Sequence, residues 1–101
     1  MHIITKKRLL QASVKYPSAK ASIAYWHSVA KAAVWANLVA TRKSFRHADQ
    51  VKVKSGRIVT VFNIAKSFRL ITAIHYNRKK IFMLRFLTHP EYDKGDWKLN
   101  L

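Results

Sequence analysis

The sequence predicts an α+β fold in which helices come first and a small sheet follows. Apolar residues recur at helical spacing in roughly the first 40 positions, whereas runs of β-branched and aromatic residues bounded by turn signals dominate positions 57–88. The chain has 101 residues, half of them hydrophobic, which is enough for one core and too little for two. We therefore expect one domain that covers residues 1–101.

The first elements are a short strand and a short helix. His2 to Thr5 is rich in β-branched residues, so we expect an edge strand that ends at the polar residues that follow. From Lys7 to Tyr16 the apolar residues fit an amphipathic helix, with Leu10 and Val14 one turn apart. Pro17 has no backbone N–H and cannot continue this helix. The first helix is therefore expected to end near Tyr16.

The second helix is predicted to be the longer one. Ser18 stands where an N-cap belongs, and apolar or small residues then recur at helical spacing as far as Asn37. The aromatic residues of this helix are interpreted as core or partner-docking residues, with a base-stacking platform as the alternative. They are Tyr25, Trp26 and Trp35.

A polar and basic segment, Thr41 to Lys54, joins the helices to the sheet. It has little apolar periodicity, so we expect a connecting loop that enters a strand. Lys52 and Lys54 would alternate onto one face of that strand, where they could contact an RNA backbone. The alternative is that these charges form an ordinary solvated face.

Three further strands define the sheet. After the Ser55-Gly56 turn signal, Arg57 to Ile64 carries apolar residues on both faces, which is typical of a central strand. We expect helices to cover one of its faces and partly buried side chains to cover the other. Phe68 to Tyr76 and Ile81 to Thr88 form a hairpin around a polar turn in which Asn77 can take a left-handed conformation.

The register of this hairpin decides which side chains share a face. A connection with an odd number of residues, such as Asn77 to Lys79, would place Arg69 and Arg85 on the same face. A connection with an even number would separate them. The sequence leaves both registers open.

The charge of the chain points to anionic partners. Twenty Lys and Arg residues against four acidic residues give a formal charge of +16. Such a charge disfavours self-association and attracts polyanions, so we expect RNA, DNA or an acidic protein as a partner. The same charge would also suit an anionic membrane surface or simple solubility, and nucleic acid is favoured over both.

Missing residue types and patterns narrow the function further. The chain has no cysteine, which excludes disulfides, Cys-type zinc sites and thiol catalysis and suits a reducing cytoplasm. No histidine pair has metal-ligand spacing, so we expect neither metal nor cofactor. No signal peptide is recognisable, and the most apolar window, Val29 to Ala40, is too short to span a membrane. We expect a soluble cytoplasmic protein without a membrane partner.

The candidate site lies between Phe68 and Trp97, a stretch that contains three of the four acidic residues. Cleavage of RNA without a metal requires attack by the 2′-hydroxyl, neutralisation of the phosphorane and protonation of the leaving 5′-oxygen. Arg69 and Arg85 are the best candidates for the phosphate, because strands hold a guanidinium rigidly and its fork matches two oxygens. His89 and Tyr92 are candidate acid or base groups, with a structural role as the alternative for each.

The charged residues around His89 and Tyr92 are assigned local roles. Glu91 and Asp93 are interpreted as N-cap or turn residues, or as partners of Lys94, with a carboxylate general base as the alternative. Lys94 is itself a candidate RNA contact.

Five motifs occur in an order that is typical of one toxin family. They are Met1-His2-Ile3-Ile4, Tyr16-Pro17, Val61-Phe62-Asn63-Ile64, Arg69-Leu70-Ile71 and Thr88-His89-Pro90-Glu91-Tyr92-Asp93-Lys94. Together they resemble the HigB family of toxins over essentially the whole chain, and the last motif is the most specific of the five.

The resemblance implies a RelE-like fold with two N-terminal helices packed on a small antiparallel sheet. It also implies cleavage of messenger RNA on the ribosome, restrained by a co-expressed, HigA-like DNA-binding antitoxin. From the charge of this chain we expect the antitoxin to present an acidic contact surface or to insert a segment across a groove.

The chain departs from the family pattern in two turns. Where relatives carry a glycine-containing turn before the strand arginine, this chain has Ala65-Lys66-Ser67-Phe68, and the loop from Arg46 to Gln50 lacks the usual Pro-Ser. A glycine tolerates positive φ, so the first departure is expected to shift the strand that carries Arg69.

Two other function classes share these features. A toxin of the same fold that acts on DNA gyrase, as ParE-type relatives do, would share the helices and the charge but would not need His89 or Tyr92. A non-catalytic RNA-binding or ribosome-binding module is the other class. Loss of messenger RNA in translating cells, as opposed to DNA damage, separates the cleavage hypothesis from both.

Overall fold

All five strands belong to one sheet, whose order is β1-β5-β4-β3-β2 in a computed structural model that describes residues 1–101. The elements in chain order are β1 (His2–Ile4), α1 (Lys6–Lys15), α2 (Lys20–Ala32), α3 (Leu38–Ser44), β2 (Asp49–Lys52), β3 (Ile58–Ile64), β4 (Phe68–His75), β5 (Lys80–Thr88) and α4 (His89–Lys94). The predicted α+β class is confirmed. The sheet is mixed in detail, because β1 pairs with β5 in parallel while the other three pairings are antiparallel. No helix has the length and apolar character needed to cross a membrane.

The first helix has the predicted extent but a different buried face. It ends at Lys15, one residue before the predicted limit, and Pro17 begins a short 3₁₀ turn. Leu9 and Ala12 are the side chains of α1 that the core buries. Leu10 and Val14, one turn apart, lie on the exposed side instead.

The predicted long second helix is wrong, because the chain forms two helices there. α2 ends at Ala32, the next residue is extended (φ −74°, ψ 154°), and Asn37 caps α3 by accepting a hydrogen bond from the backbone N–H of Ala40 at 2.9 Å. The N-terminal ammonium group of Met1 donates to the carbonyls of Lys31 and Ala33, which satisfies acceptors left over at the end of α2.

Two details at the ends of these helices also differ from prediction. Ser18 is not an N-cap, since it lies within the 3₁₀ turn Pro17–Ala19 and α2 begins only at Lys20. The segment predicted as a loop from Thr41 is helical as far as Ser44, because α3 extends into it.

The helices cover one face of the sheet with an aromatic core. Phe62 of β3 contacts three other aromatic rings, with centroids 5.3 Å away in Trp26, 6.2 Å in Trp35 and 5.4 Å in Phe45. Trp26 and Trp35 are buried, which confirms their interpretation as core residues. Tyr25 is exposed.

The other face of the sheet carries a second, smaller apolar cluster. It is formed by five buried residues: Val53, Val59, Val61, Ile71 and Trp97. β3 is therefore buried on both faces, as its sequence predicts. The residues after α4 provide the cover on this side, because Trp97 comes from the 3₁₀ turn Asp96–Asn100.

The predicted hairpin of β4 and β5 is confirmed, with an unexpected register. His75 pairs with Lys80, so the connection has an even number of residues, and its left-handed residue is Lys79 (φ 56°), not Asn77. An even connection alone would separate the two candidate arginines. A β-bulge opposite the Ile71–Thr72 step, however, leaves one extra residue in β5. The pairing beyond the bulge is therefore shifted by one residue, and Arg85 pairs with Ile71.

Candidate functional site

The site is organised by α4, a short helix that begins where β5 ends. Thr88 caps this helix, and its backbone N–H and hydroxyl both donate to Glu91 Oε1, at 2.9 and 3.0 Å. The backbone N–H of Glu91 donates back to the Thr88 hydroxyl at 3.3 Å. Gly95, with φ 79°, ends the helix. Glu91 therefore has the local capping role that its position predicts.

The capping contacts also set the charge of Glu91. The hydrogen bonds from the Thr88 backbone and hydroxyl lower the pKa of the Glu91 carboxyl below its ordinary value. The carboxylate is thus ionised at neutral pH and its Oε1 is engaged in the cap, and the lowered pKa makes Glu91 a poor candidate for a general base.

Tyr92 lies on the inner side of α4, against the second face of the sheet. Its ring stacks on Trp97 with centroids 5.4 Å apart, and Trp97 Nε1 donates to the Tyr92 carbonyl at 3.1 Å. Burial, and then the negative charge of Asp49, raise the pKa of the Tyr92 hydroxyl. The phenol therefore remains protonated at neutral pH and is a hydrogen-bond donor.

Arg69 approaches this tyrosine from β4. Its guanidinium carbon lies 5.9 Å from the centroid of the Tyr92 ring. Arg69 Nη1 donates to the carbonyls of Lys66 and Phe68, at 2.8 and 2.9 Å. These bonds hold the half-buried side chain in place and involve only one of its three nitrogens. The fork can therefore still bind an anion.

The turn before Arg69 contains two residues with positive φ, and neither is glycine. Ala65 and Lys66 both have positive φ, 50° and 63°, and β3 and β4 pair without a register shift. The chain thus accepts backbone strain at two residues where a glycine would adopt the same conformation at little cost. The Arg69 guanidinium bonds to the carbonyl of one of them, Lys66.

Arg85 lies at a neighbouring position on the sheet edge. Cross-strand pairs share a face, so the pairing of Arg85 with Ile71 and of Arg69 with Leu87 places both arginines on one face. Arg85 Nη1 donates to the carbonyl of Leu84 at 2.7 Å. A depression of about 220 Å³ borders Arg85 and several residues of the first helix and the turn after it. These are Arg8, Gln11, Ala12, Lys15 and Tyr16.

His89 is the first residue of α4 and is half exposed. Its Nδ1 lies 2.8 Å from Asp93 Oδ2, one helical turn along, and its backbone N–H donates to the Ser67 carbonyl at 2.8 Å. The carboxylate orients the imidazole and leaves Nε2 available for proton transfer. Asp93 thus acts within the helix, but its partner is His89 and not Lys94, which pairs with Asp96.

The three candidate RNA-binding lysines are dispersed around this cluster. Lys52 pairs with Ile58 on the sheet face opposite Tyr92. Lys54 lies beyond β2, which ends at Lys52, so the prediction that both lysines alternate along one strand is wrong. Lys94 forms an ion pair with Asp96 at 3.5 Å and not with the acids before it.

Sequence reasoning missed two parts of the site. Trp97 supports Tyr92 by stacking, and the signal was an apolar aromatic five residues after it in an otherwise polar segment. Arg8 and Lys15 lie beside Arg85, and only the long-range contact of α1 with β5 reveals them. No group of three or more His, Cys, Asp or Glu side chains is arranged to hold a metal ion.

Comparison with known proteins adds one match. A family model described as HigB_toxin, the RelE-like toxic component of a toxin-antitoxin system, matches residues 19–95. The match takes in all of α2, α3, α4 and the strands from β2 to β5. A search of curated proteins finds no match.

Proposed function

The chain belongs to the HigB family of RelE-like toxins, and on that premise we propose that it is a metal-independent endoribonuclease that cleaves messenger RNA on the ribosome. The observation that carries this proposal is the contact of Arg69 with Tyr92 of α4, in which the guanidinium of Arg69 lies over the ring of a protonated tyrosine. His89 projects from the same short helix. A group that can bind phosphate and two groups that can transfer protons would therefore act within one small area.

The first step is recognition of the scissile phosphate. In this proposal Arg69 binds two of its non-bridging oxygens and stabilises the negative charge that grows in the phosphorane. Arg85 contributes a second positive charge from the neighbouring strand. Both arginines lack an acidic partner, since the ion pairs of the structure involve other basic residues. Their charge is therefore available to RNA.

The second step is proton transfer. Tyr92, whose raised pKa keeps its hydroxyl protonated at neutral pH, is assigned to donate a hydrogen bond to the phosphate and a proton to the leaving 5′-oxygen. His89, oriented by Asp93, is assigned to take the proton of the attacking 2′-hydroxyl through Nε2. The phosphate then bonds to the 2′-oxygen, the bond to the 5′-oxygen breaks, and that oxygen receives the proton of the Tyr92 hydroxyl. The proton held by His89 is released to solvent and the phenolate takes one back, so both groups return to their starting states.

The ribosome is assigned the task of presenting the substrate. Arg69 and Tyr92 are partly exposed and His89 is exposed, so we propose that these groups do not by themselves hold a 2′-hydroxyl in line with the leaving oxygen. A ribosome can supply that geometry by fixing a codon in a bent path. Lys52, Lys54 and Lys94 are proposed as outer contacts with the RNA backbone.

The partners and setting follow from the same proposal. A toxin of a toxin–antitoxin system has an antitoxin partner, and we propose that this partner is a HigA-like DNA-binding protein with an acidic contact surface. Residues 1–101 would act as one domain in the cytoplasm, where translating ribosomes are found.

The test compares 5′ ends of RNA after exposure to the purified protein with and without translating ribosomes. Both reactions contain EDTA at a concentration that spares the ribosome, and a Tyr92→Phe variant serves as the control for chemistry at the phenol. We expect new 5′ ends only with ribosomes, and fewer of them from the variant. Equal cutting of naked RNA, or cutting that needs added divalent metal, would contradict the proposal.

The same experiment separates the other function classes. A gyrase inhibitor would cause DNA damage without RNA loss when expressed in cells. A non-catalytic ribosome-binding module would slow translation and generate no new 5′ ends.

A further inference from the structure

A pocket of about 670 Å³ lies at the end of the sheet away from the candidate site. Four parts of the chain line it: the start of β1, the start of α1, the end of α2 with the residues after it, and the turn between β4 and β5. β5 begins at this pocket with Lys80 and ends at Thr88, the cap of α4. A strand of that length spans roughly 26 Å. We call this surface the distal pocket.

The lining of the distal pocket is more basic than the chain as a whole. Five of its eleven lining residues are Lys or Arg, against 20 of 101 in the whole sequence. The positive charge is therefore concentrated here beyond the general excess. The five basic residues are Lys6, Lys31, Arg78, Lys79 and Lys80.

These five cations have no counterion within the chain. No acidic residue lines the pocket. The four acids of the sequence are engaged elsewhere, Asp49 by Arg42, Glu91 by Thr88, Asp93 by His89 and Asp96 by Lys94. The charge of the pocket is thus available to an anion from outside.

The cations converge on a common space. His27 is a partly buried pocket residue of α2, and burial, followed by the charges of Lys6 on α1 and Lys31 on α2, lowers the pKa of its imidazole. Two helices therefore direct positive charge at the same side chain. Lys79 Nζ donates to the Trp35 carbonyl at 3.4 Å, which leaves two of its three N–H groups for a ligand.

The rest of the lining is largely apolar. It is formed by Met1, Ile3, Ala33 and Val34 beside the imidazoles of His2 and His27. Val34 is 76% exposed in the extended segment between α2 and α3. Clustered cations beside uncharged side chains match a ligand that has several charges at one end and a flat, weakly polar group at the other.

We propose that the distal pocket binds a nucleoside triphosphate. The triphosphate would lie among the five cations, where Arg78 offers a planar fork and the lysines offer point charges. The base would lie on Ala33 and Val34. The volume of the pocket is within the range of about 300–1,000 Å³ that is typical of small-molecule sites.

The shape and lining of the pocket favour this ligand over an RNA strand. Proteins bind single-stranded RNA along extended basic grooves in which successive bases stack on aromatic side chains. The distal pocket is concave, and no Phe, Tyr or Trp lines it. A compact anion uses the converging charges better than a strand whose phosphates are spread along a line.

The experiment uses the full chain and two variants with the same loss of charge. The pocket variant carries Lys31→Ala and Arg78→Ala, two exposed residues of the lining. The control variant carries Lys43→Ala and Arg46→Ala, which are exposed and lie outside the pocket. Circular dichroism and thermal unfolding establish that both variants are folded. Titration calorimetry then measures binding of ATP, without divalent metal, in about 0.15 M salt, where the screening length is about 8 Å.

We expect the pocket variant to bind ATP at least tenfold more weakly than the original chain, and the control variant to bind within about twofold of it. ATP should bind at least about threefold more tightly than inorganic triphosphate, although triphosphate carries the higher charge, because only ATP has a base that covers Val34. In NMR spectra, ATP should shift the imidazole resonances of His27 and leave those of His47, outside the pocket, unchanged.

Four results would overturn the proposal. The original chain could fail to bind ATP at about 1 mM. Both variants could lose affinity equally, which would assign binding to the overall charge of +16. Inorganic triphosphate could bind as tightly as ATP, which would remove the base from the site. The pocket variant could lose affinity for an RNA oligonucleotide with a 5′-hydroxyl end as strongly as for ATP, which would assign the pocket to an RNA strand.

This inference stands apart from the proposed cleavage reaction. Ribosome-dependent cleavage is measured on the same proteins, and we expect the pocket variant to retain it, because the pocket lies at the other end of β5. If the original chain fails to cleave RNA, the proposed function fails while the ATP titrations still decide the distal pocket. Normal cleavage with equal ATP affinity in both variants would overturn only the distal pocket.

Discussion

The two faces of the sheet are covered in different ways. On one face, three helices cover a cluster of fifteen buried residues that includes Trp26, Trp35 and Phe62. On the other face, a cluster of five buried residues is covered only by α4 and the short C-terminal turn. The candidate site lies on the second face, where Tyr92 packs beside Trp97 and Arg69.

This difference places most of the hydrophobic stabilisation on one face of the sheet and the proposed catalytic groups on the other. Hydrophobic stabilisation scales with the apolar area removed from water, so the larger cluster contributes most of it. The thinner cover of the second face leaves Arg69 and Tyr92 partly accessible while α4 still orders them. Mutations on the two faces should therefore have different signatures.

The largest effect is expected from Phe62→Ala on the helix-covered face. This change removes contacts with three aromatic rings and should lower the free energy of unfolding by about 3–5 kcal/mol. Val61→Ala, next to it on the same strand but facing the smaller cluster, should cost less because it removes fewer buried atoms. Urea denaturation of both variants measures the difference, and equal losses would remove the distinction between the faces.

The next largest effect is expected on the rate of RNA cleavage, with little change in the free energy of unfolding. Arg69→Ala and Arg85→Ala should each slow ribosome-dependent cleavage at least tenfold, about 1.4 kcal/mol in the barrier, while urea denaturation stays close to that of the original chain. Arg57→Ala is the matched control, since it removes the same charge from an exposed position before β3. Cleavage by folded Arg69→Ala at the original rate would exclude this arginine as a phosphate ligand.

The fold was predictable where local signals are strong. The Thr88-to-Glu91 spacing is that of a capping box, and the structure has one. The apolar residues on both faces of β3 predicted a strand buried on both sides. In each case the deciding interaction joins residues within a few positions or follows from the period of the strand.

The failures arise from contacts between residues far apart in sequence. The second helix ends at Ala32. There the N-terminal ammonium group of Met1, about 30 positions earlier in the sequence, donates hydrogen bonds to carbonyls at the helix end. The bulge that brings Arg85 onto the face of Arg69 depends on the pairing of two strands. The bulge has no local sequence signature, whereas the break has one local signal, the N-cap residue Asn37 at the start of α3.

A smaller effect should come from the strained turn that leads into the site face. Lys66 has φ 63°, a conformation that costs a residue with a side chain about 1–2 kcal/mol and costs glycine little. Lys66→Gly should therefore raise the free energy of unfolding by about 0.5–1 kcal/mol, after the greater entropy of glycine in the unfolded chain is included. Ser67→Gly, at the next position and without positive φ, should not stabilise the protein. A lower free energy of unfolding in Lys66→Gly would show that the rest of the turn already relieves the strain of the positive φ at Lys66.

The smallest expected effect is the pH dependence of the cap on α4. The pKa of Glu91 lies below its ordinary value near 4.5 in the folded protein, because Thr88 donates two hydrogen bonds to the carboxylate. A lowered folded-state pKa means that the contribution to stability is fully present above the unfolded pKa. It is lost as the pH falls through the folded pKa. Glu91 is exposed, so solvent screening limits this contribution to less than about 1 kcal/mol.

Glu91→Gln isolates the charge, because glutamine can keep the geometry of the capping box. The original chain should be the more stable of the two at neutral pH, and the gap in free energy of unfolding should close as the pH falls from the ordinary pKa of glutamate through the lowered pKa of Glu91. Hydrogen exchange of the α4 amides should follow the same trend, while that of the α2 amides on the opposite face should not differ between the two proteins. A gap that persists at low pH would mean that glutamine disturbs the cap by its shape, and that the charge of Glu91 does not hold α4 against the sheet.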